Sequence, residues 1–392
     1  LLLLLRYSIL LDFRLGVSLS YGGFLGSMKI KNIEVIELEM PFSRGVDNKG
    51  DVGFLNWGKL DFCLIKVETD NGLVGWGDAF SFQCRRPVAE AIKYMIAPRV
   101  IGLDARDPVK INHELQQGLH LFGRYGITLF AISGLDIALW DIAGKIAELP
   151  LHALMGSASI TPVPAYASLF RYEDSELVTD RVKHAISLGY ESIKLHEITV
   201  SEVKAAREIA GPSIPLMVDV NCPWTPEKAK LMALAFKEYD IHWLEEPINP
   251  PENFAALAKL RAETGLSIAA GENACTVFEF KKMMEIGAVD YAQPSVTKVG
   301  GITEFRKIAA LCEVYGIQIM PHSPYFGPGF LATLHLAQVI PNSGMIERIF
   351  IEPEADLFAN SIYDPKNGAF GVPGGHGLGL EPNPDVIKTY RV

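Results

Sequence analysis

Cysteine is scarce and scattered: the chain has five, Cys63, Cys84, Cys222, Cys275 and Cys312, with no CxxC spacing among them. That pattern excludes a disulfide framework and is read as reduced thiols in a cytoplasm. Positive charge is also short. Thirty-six Lys and Arg against 46 Asp and Glu leave a formal charge of -10, and no basic stripe stands out. A nucleic-acid partner is therefore excluded, because nothing would neutralise phosphates. An acidic chain can still bind an anionic substrate through a local metal. No stretch approaches the length of a transmembrane helix, so no membrane partner is expected. The first 27 residues open on Leu1 to Leu5 and Arg6 but show neither a clear n-region nor a small-residue cleavage site. They read as a leader outside the fold, with Met28 as the natural start.

What is present is a large hydrophobic complement, 49% of 392 residues. That is enough for one large domain and a smaller one. The clearest organisation lies in three short apolar runs that each end in a carboxylate: Leu216-Met217-Val218-Asp219, Ile241-His242-Trp243-Leu244-Glu245 and Ile268-Ala269-Ala270-Gly271-Glu272. The carboxylates are spaced 26 and 27 residues apart, with helix-like segments at 225–239 and 251–264 between them. A strand, a helix and two loops need about 30 residues. Consecutive parallel strands would thus place the three side chains together at the carboxyl ends, which is the active-site face of a (β/α) barrel. Three converging anions require a cation among them. A hard, oxygen-preferring divalent ion such as Mg²⁺ on Asp219, Glu245 and Glu272 is the economical solution.

The rest of the chain frames that unit. Residues 30–38 alternate like a strand, and 61–69 with 73–76 read as a hairpin across Asp70-Asn71-Gly72. The intervening 41–59 is a long irregular loop, more often functional than filler. Helical patterns at 87–97, 108–117 and 127–148 complete an α+β capping domain over 28–160. Strand-like runs then recur at 163–168, 192–196, 216–220, 241–245, 267–272, 291–296, 317–322 and 345–350, with helical stretches at 201–210, 278–286, 302–315 and 329–338. The fold class is α/β, a modified TIM barrel over 161–352. The Gly- and Pro-rich tail 353–392 lacks a clear closing helix and is expected to return to the cap.

Acid and base groups flank the carboxylates. Lys194 and His196 end one strand and share a face by period-two alternation. His322 ends a strand two units beyond Glu272, and Glu347 lies on the next. Such a set suits abstraction of a proton beside a carboxylate, the ion stabilising the enediolate and Lys or His acting as base. Asn221, two residues after Asp219, is expected to contact substrate or support the site. Arg85 is a candidate for a distal substrate oxygen. His242, His335 and Trp140 look like core, and Glu246 faces away from Glu245.

At these residues the chain resembles the enolase superfamily, in its mandelate racemase and muconate-lactonising branch. The resemblance runs from Met28 to the end. It rests on Ser133-Gly134-Leu135-Asp136-Ile137-Ala138-Leu139-Trp140-Asp141, Glu245-Glu246-Pro247, Gly271-Glu272-Asn273, Lys298-Val299-Gly300-Gly301 and Gly377-Leu378-Gly379. It implies a capping domain over a (β/α)₇β barrel, Mg²⁺ on Asp219, Glu245 and Glu272, and acid/base groups at Lys194, His196 and His322, with Glu347 near the substrate carboxylate. It also implies that 41–59 and 77–86 are substrate-selecting loops. Two positions depart from the family pattern. His196 stands where a second lysine is frequent. Ser295 stands where an aspartate or lysine would be, so His322 is expected to lack an orienting carboxylate, and Ser295 is assigned to the substrate. The expected activity is dehydration of a sugar acid. Lactone cycloisomerisation, racemisation or epimerisation, and a non-catalytic metal-binding role are the alternatives. The partner is then a small carboxylate, and self-association of the barrel into a homo-oligomer is expected.

Overall fold

A computed structural model describes residues 28–45, 57–359 and 361–392. The leader over 1–27 and most of the 41–59 loop lie outside the described residues. The chain opens with three antiparallel strands, β1 (Ile30–Ser43), β2 (Lys59–Thr69) and β3 (Val74–Ala79). Five helices follow: α1 (Arg85–Ala91), α2 (Ala97–Val100), α3 (Pro108–Gly118), α4 (Gly126–Ile146) and α5 (Leu151–Leu154). A π-turn at Ile92–Ile96 joins the first two.

α4 corrects the sequence reading on membrane length. Its 21 residues are long and apolar enough to cross a bilayer, but most of its surface is buried inside the protein. Gly134 and Gly144 explain the close fit. A Cβ on Gly134 would lie 2.5 Å from Ile65, and one on Gly144 would lie 2.6 Å from the Gly377 backbone. The helix is apolar all round because the cap sheet, the barrel and the tail all press on it.

The barrel alternates β4 (Val163–Ser168), α6 (Ser175–Ser187), β5 (Ile193–Leu195), α7 (Val200–Ala210), β6 (Leu216–Asp219), α8 (Pro226–Lys237) and β7 (Leu244–Glu245). It continues with α9 (Phe254–Thr264), β8 (Ile268–Ala270), α10 (Val277–Glu285), β9 (Tyr291–Ala292), α11 (Gly301–Tyr315), β10 (Gln318–Ile319), α12 (Pro328–Ala337) and β11 (Ile346–Ile349). These strands pair in parallel in the order β10-β9-β8-β7-β6-β5-β4-β11. A bridge from Ile319 to Ser343 brings the two ends together. Seven helices separate eight strands and none follows the last within the barrel, so the (β/α)₇β expectation holds.

Local chemistry sets the helix starts. Asp174 caps α6, Asn253 caps α9, and Thr276 with Glu279 forms a capping box on α10. Tyr166, Met217, Trp243, Ala269 and Met320 pack the barrel interior beneath the carboxyl ends.

After β11 the tail forms β12 (Glu352–Pro353), which pairs with β1, and β13 (Ala369–Phe370), which pairs antiparallel with β4. A short α13 (Pro384–Tyr390) follows, and Arg391 bridges to Leu38 of the cap. Asp141 of α4 accepts from Trp76 N at 2.9 Å and Leu378 N at 2.8 Å, fastening sheet, helix and tail together.

Asp136 fastens α4 to the barrel, accepting from Asn112 Nδ2 at 2.8 Å and from Thr303 N at 2.9 Å. Burial pushes its carboxyl up to about 7, against the pull of these donors. A carboxyl raised on folding adds stability that is complete below the unfolded value, about pH 4, and lost as pH climbs through the folded one. Asp136→Asn is expected to flatten the stability curve between about pH 4 and 7 by up to a few kcal/mol. Urea midpoints at the two ends of that window test this, and an unaltered slope would contradict it.

Candidate active site

The parallel register builds the site. Asp219 and Glu245 are Cα partners on adjacent strands, and Lys194 lies on β5 beside them. Glu272 arrives differently. The strand expected to run to 272 ends at Ala270, because Gly271 takes φ +136°, where a Cβ would meet Gln293 N at 2.9 Å. That turn, open to glycine, aims Glu272 at the other two. One oxygen from each of Asp219, Glu245 and Glu272 lies within 4.8 Å of the others. This all-oxygen, anionic donor set fits a hard divalent cation.

Lys194 lies under this cluster, 1% exposed. Its Nζ is 2.9 Å from Glu245 Oε1, 2.9 Å from Glu347 Oε1 and 3.4 Å from Asp219 Oδ2. Burial alone would lower its pKa, but Glu245, Glu347 and Asp219 drive it well above the ordinary lysine value. The carboxylates respond unequally. Burial and the Asp219 charge lift Glu245 well above the usual range. Burial also opposes charge on Asp219, yet Lys194 and His196 hold it low. Burial works the same way on Glu272, and His322 overrides it to leave the group at about 2. Glu245 is further held by Trp243 Nε1 at 2.9 Å, and Glu347 by Ser168 Oγ at 2.7 Å.

Two imidazoles flank the triad at its two ends. His196 Nε2 is 3.3 Å from Asp219 Oδ2, while its Nδ1 is 2.5 Å from the Leu169 carbonyl. That oxygen can only accept, so Nδ1 carries a proton and Nε2 is the nitrogen that faces Asp219 and the cavity. His322 Nε2 is 3.0 Å from Glu272 Oε2, and its Nδ1 meets Ser295 Oγ at 3.2 Å and Tyr325 OH at 3.3 Å.

Cap and barrel enclose a cavity of about 760 Å³ over these groups, lined by Lys194, His196, Asp219, Glu272, His322 and Glu347. Asn221 also lines it, with φ +54° and its N–H donating to Asp219 Oδ1 at 2.9 Å. Glu347 points to Lys194 while its neighbour Arg348 turns away to the carbonyls of Tyr363, Ile349 and Ile351.

Two assignments from sequence need correction. Arg85 is not at the cavity: it is buried in ion pairs with Glu37 at 3.2 Å, Glu39 at 2.8 Å and Asp61 at 2.7 Å. Its partners come from β1 and β2, so pairing across the cap sheet absorbs the charge. Ser295 is fully buried behind His322 and touches its imidazole instead of lining the cavity. A hydroxyl pair, Ser295 and Tyr325, thus occupies the place of the orienting carboxylate.

Sequence reasoning missed Arg171, whose Nε donates to His196 O at 2.6 Å and whose Nη2 donates to Val220 O at 3.2 Å. It stands just past β4, so the strand-end rule that found Lys194 would have found it. The cap aromatics Phe80 and Phe82, with Trp57 and Phe170, also line the cavity. Glu246, with φ +46°, is not turned away as expected: it is buried beside the triad, accepting from Gly271 N at 3.1 Å and from Cys222 Sγ at 3.0 Å.

A barrel of this connectivity, with three carboxylates at the ends of successive strands and an imidazole on either side, is suited to metal-assisted acid–base chemistry. The chain belongs to the enolase superfamily, in its mandelate racemase and muconate lactonizing enzyme family. Residues 51–156 match the family described as "Mandelate racemase / muconate lactonizing enzyme, N-terminal domain", and residues 177–386 match "Enolase C-terminal domain-like". It is 31% identical to the arabinonate dehydratase of Saccharolobus solfataricus, over 85% of this chain and 91% of that one. Identity is also 31% to the D-galactarolactone cycloisomerase of Agrobacterium fabrum, over 84% of this chain and 91% of the other. A solved enolase-superfamily structure from Polaromonas sp. JS666 superposes with a TM-score of 0.82 at 31% identity, covering 93% of this chain and 98% of that one.

Removing the Lys194 ammonium should leave the buried Glu245 and Glu347 without their ion-pair partner. Without divalent ions, Lys194→Ala is expected to lose about 3–5 kcal/mol of stability. Added Mg²⁺ should then raise its melting temperature more than it raises that of the wild type. An equal rise in both proteins would separate Lys194 from the acidic cluster.

Proposed function

We propose that this enzyme removes the proton α to the carboxylate of a polyhydroxylated acid and eliminates the β-hydroxyl as water. The observation that carries this reading is the placement of the two imidazoles, His196 against Asp219 and His322 against Glu272, at opposite ends of one acidic triad. The triad would hold Mg²⁺, which supplies positive charge against the doubly charged enediolate that makes such a proton hard to remove.

The side chains divide the remaining work. Lys194, whose Nζ lies 2.9 Å from both Glu245 and Glu347 and faces the cavity, is placed to polarise the substrate carboxylate. His196, its Nδ1 proton committed to the Leu169 carbonyl, takes the α-proton on Nε2 in its neutral form. The C–H electrons pass into the carboxylate, then return to form the C=C bond as the β-C–O bond breaks. His322 Nε2 gives its proton to the departing hydroxyl, which leaves as water. The resulting enol ketonises to a 2-keto-3-deoxy acid. Base and acid on opposite sides predict anti elimination. Ser295 and Tyr325 fix the His322 ring, and the cap aromatics exclude bulk water.

A second outcome from the same groups is lactone cycloisomerisation, the activity named for the Agrobacterium fabrum relative. There the leaving oxygen would be that of the ring.

With Mg²⁺ and a panel of aldonic and aldaric acids, dehydration should give a 2-keto-3-deoxy acid. His196→Ala and His322→Ala should each lower kcat by about 10²–10⁴. In D₂O, His322→Ala should still exchange the α-proton of recovered substrate, and His196→Ala should not. Exchange that survives in His196→Ala would remove His196 from the role of base.

A further inference from the structure

Lys298 is a second buried cation in this cavity, and its ammonium is differently placed from that of Lys194. It is 6% exposed and lines the cavity. Its Nζ lies over the rings of Phe80 at 4.7 Å and Phe130 at 5.8 Å. Among the described residues no hydrogen bond or ion pair engages it. Its effect on Glu272 is a minor Coulombic one, behind that of His322. Aromatic faces offset only part of the cost of burying a charge, and an ammonium has three donors to satisfy.

The other cations of the cavity floor are already engaged. Lys194 is shared among carboxylates, and Arg171 donates to the carbonyls of His196 and Val220. Lys298 is also held firmly in place. Its loop is tied to the cap by Phe80 N to Thr297 O at 3.3 Å, Gly300 N to Ser133 Oγ at 2.8 Å and Asn112 Nδ2 to Gly300 O at 2.7 Å. The loop follows β9, four strands from β5 in the pairing order and so across the barrel mouth from Lys194.

We infer that Lys298 binds a second carboxylate of the substrate, distal to the one polarised by Lys194, so that the enzyme prefers a dicarboxylic sugar acid or its monolactone to a monocarboxylic one. This inference rests on the proposed reaction and names its substrate class. A neutral hydroxyl would leave the buried charge uncompensated, whereas a carboxylate cancels it and takes charge-assisted hydrogen bonds. The rigid loop sets the ammonium in advance, so little ordering is needed on binding.

Unreactive acids test this apart from turnover. Calorimetry with the Mg²⁺-loaded full chain should show adipate binding about ten- to a hundredfold more tightly than hexanoate, the range of one charged hydrogen bond. Lys298→Gln should collapse that ratio toward unity, and Lys298→Arg should retain most of it. Among reactive acids, the ratio of kcat/KM for an aldarate over the aldonate of matching stereochemistry should fall in Lys298→Gln, mainly through KM. Equal binding of adipate and hexanoate by the wild type would overturn the inference even if neither variant folds. So would an unchanged ratio in Lys298→Gln. If adipate is preferred but no acid loses water or exchanges its α-proton, the proposed reaction fails while the assignment of Lys298 stands.

Discussion

Everything at the mouth of this barrel depends on one electrostatic constraint. Asp219, Glu245 and Glu347 converge on one buried ammonium, that of Lys194, and Glu272 joins Asp219 and Glu245 in the acidic triad. One ammonium does not balance the three carboxylates it meets, and their pKa values are pushed apart. Glu245 is driven up, while Asp219 and Glu272 are held down by the imidazoles beside them. A divalent cation held by Asp219, Glu245 and Glu272 would relieve this imbalance.

The neighbouring chemistry follows from strand register. Parallel pairing places Asp219 beside Glu245, and alternation along β11 sends Glu347 inward and Arg348 outward. His196 has its tautomer set by one carbonyl, that of Leu169. His322 has its Nδ1 against two hydroxyls and its Nε2 against the Glu272 carboxylate. The two imidazoles are thus held differently, which suits one as base and the other as proton donor over two interchangeable bases.

Much of this was legible in the chain. Each barrel strand is a short apolar run, and its last residues carry the charge, so Asp219, Glu245 and Lys194 could be placed by counting. Boundaries shifted where a single residue overruled the pattern, as Gly271 does by turning the backbone before Glu272. α6 left no mark in the sequence reading, although its Asp174 cap is a recognisable start signal. Arg85 could not be placed correctly, because its partners Glu37, Glu39 and Asp61 lie on strands far from it in sequence. Lys298 was visible only as part of a motif. Its isolation depends on Phe80 and Phe130, which the cap brings to it across the domain boundary.

The tail pairs β12 with the first strand of the cap and lays Leu378 on Asp141, so the cap is held both before the barrel begins and after it ends. A cover hung from one linker can swing away as a whole. A cover stitched at two points cannot, unless the second seam opens. Passage in and out of the cavity therefore falls to short segments at the rim, and the body of the cap serves as a fixed wall against which the fit of a substrate is judged.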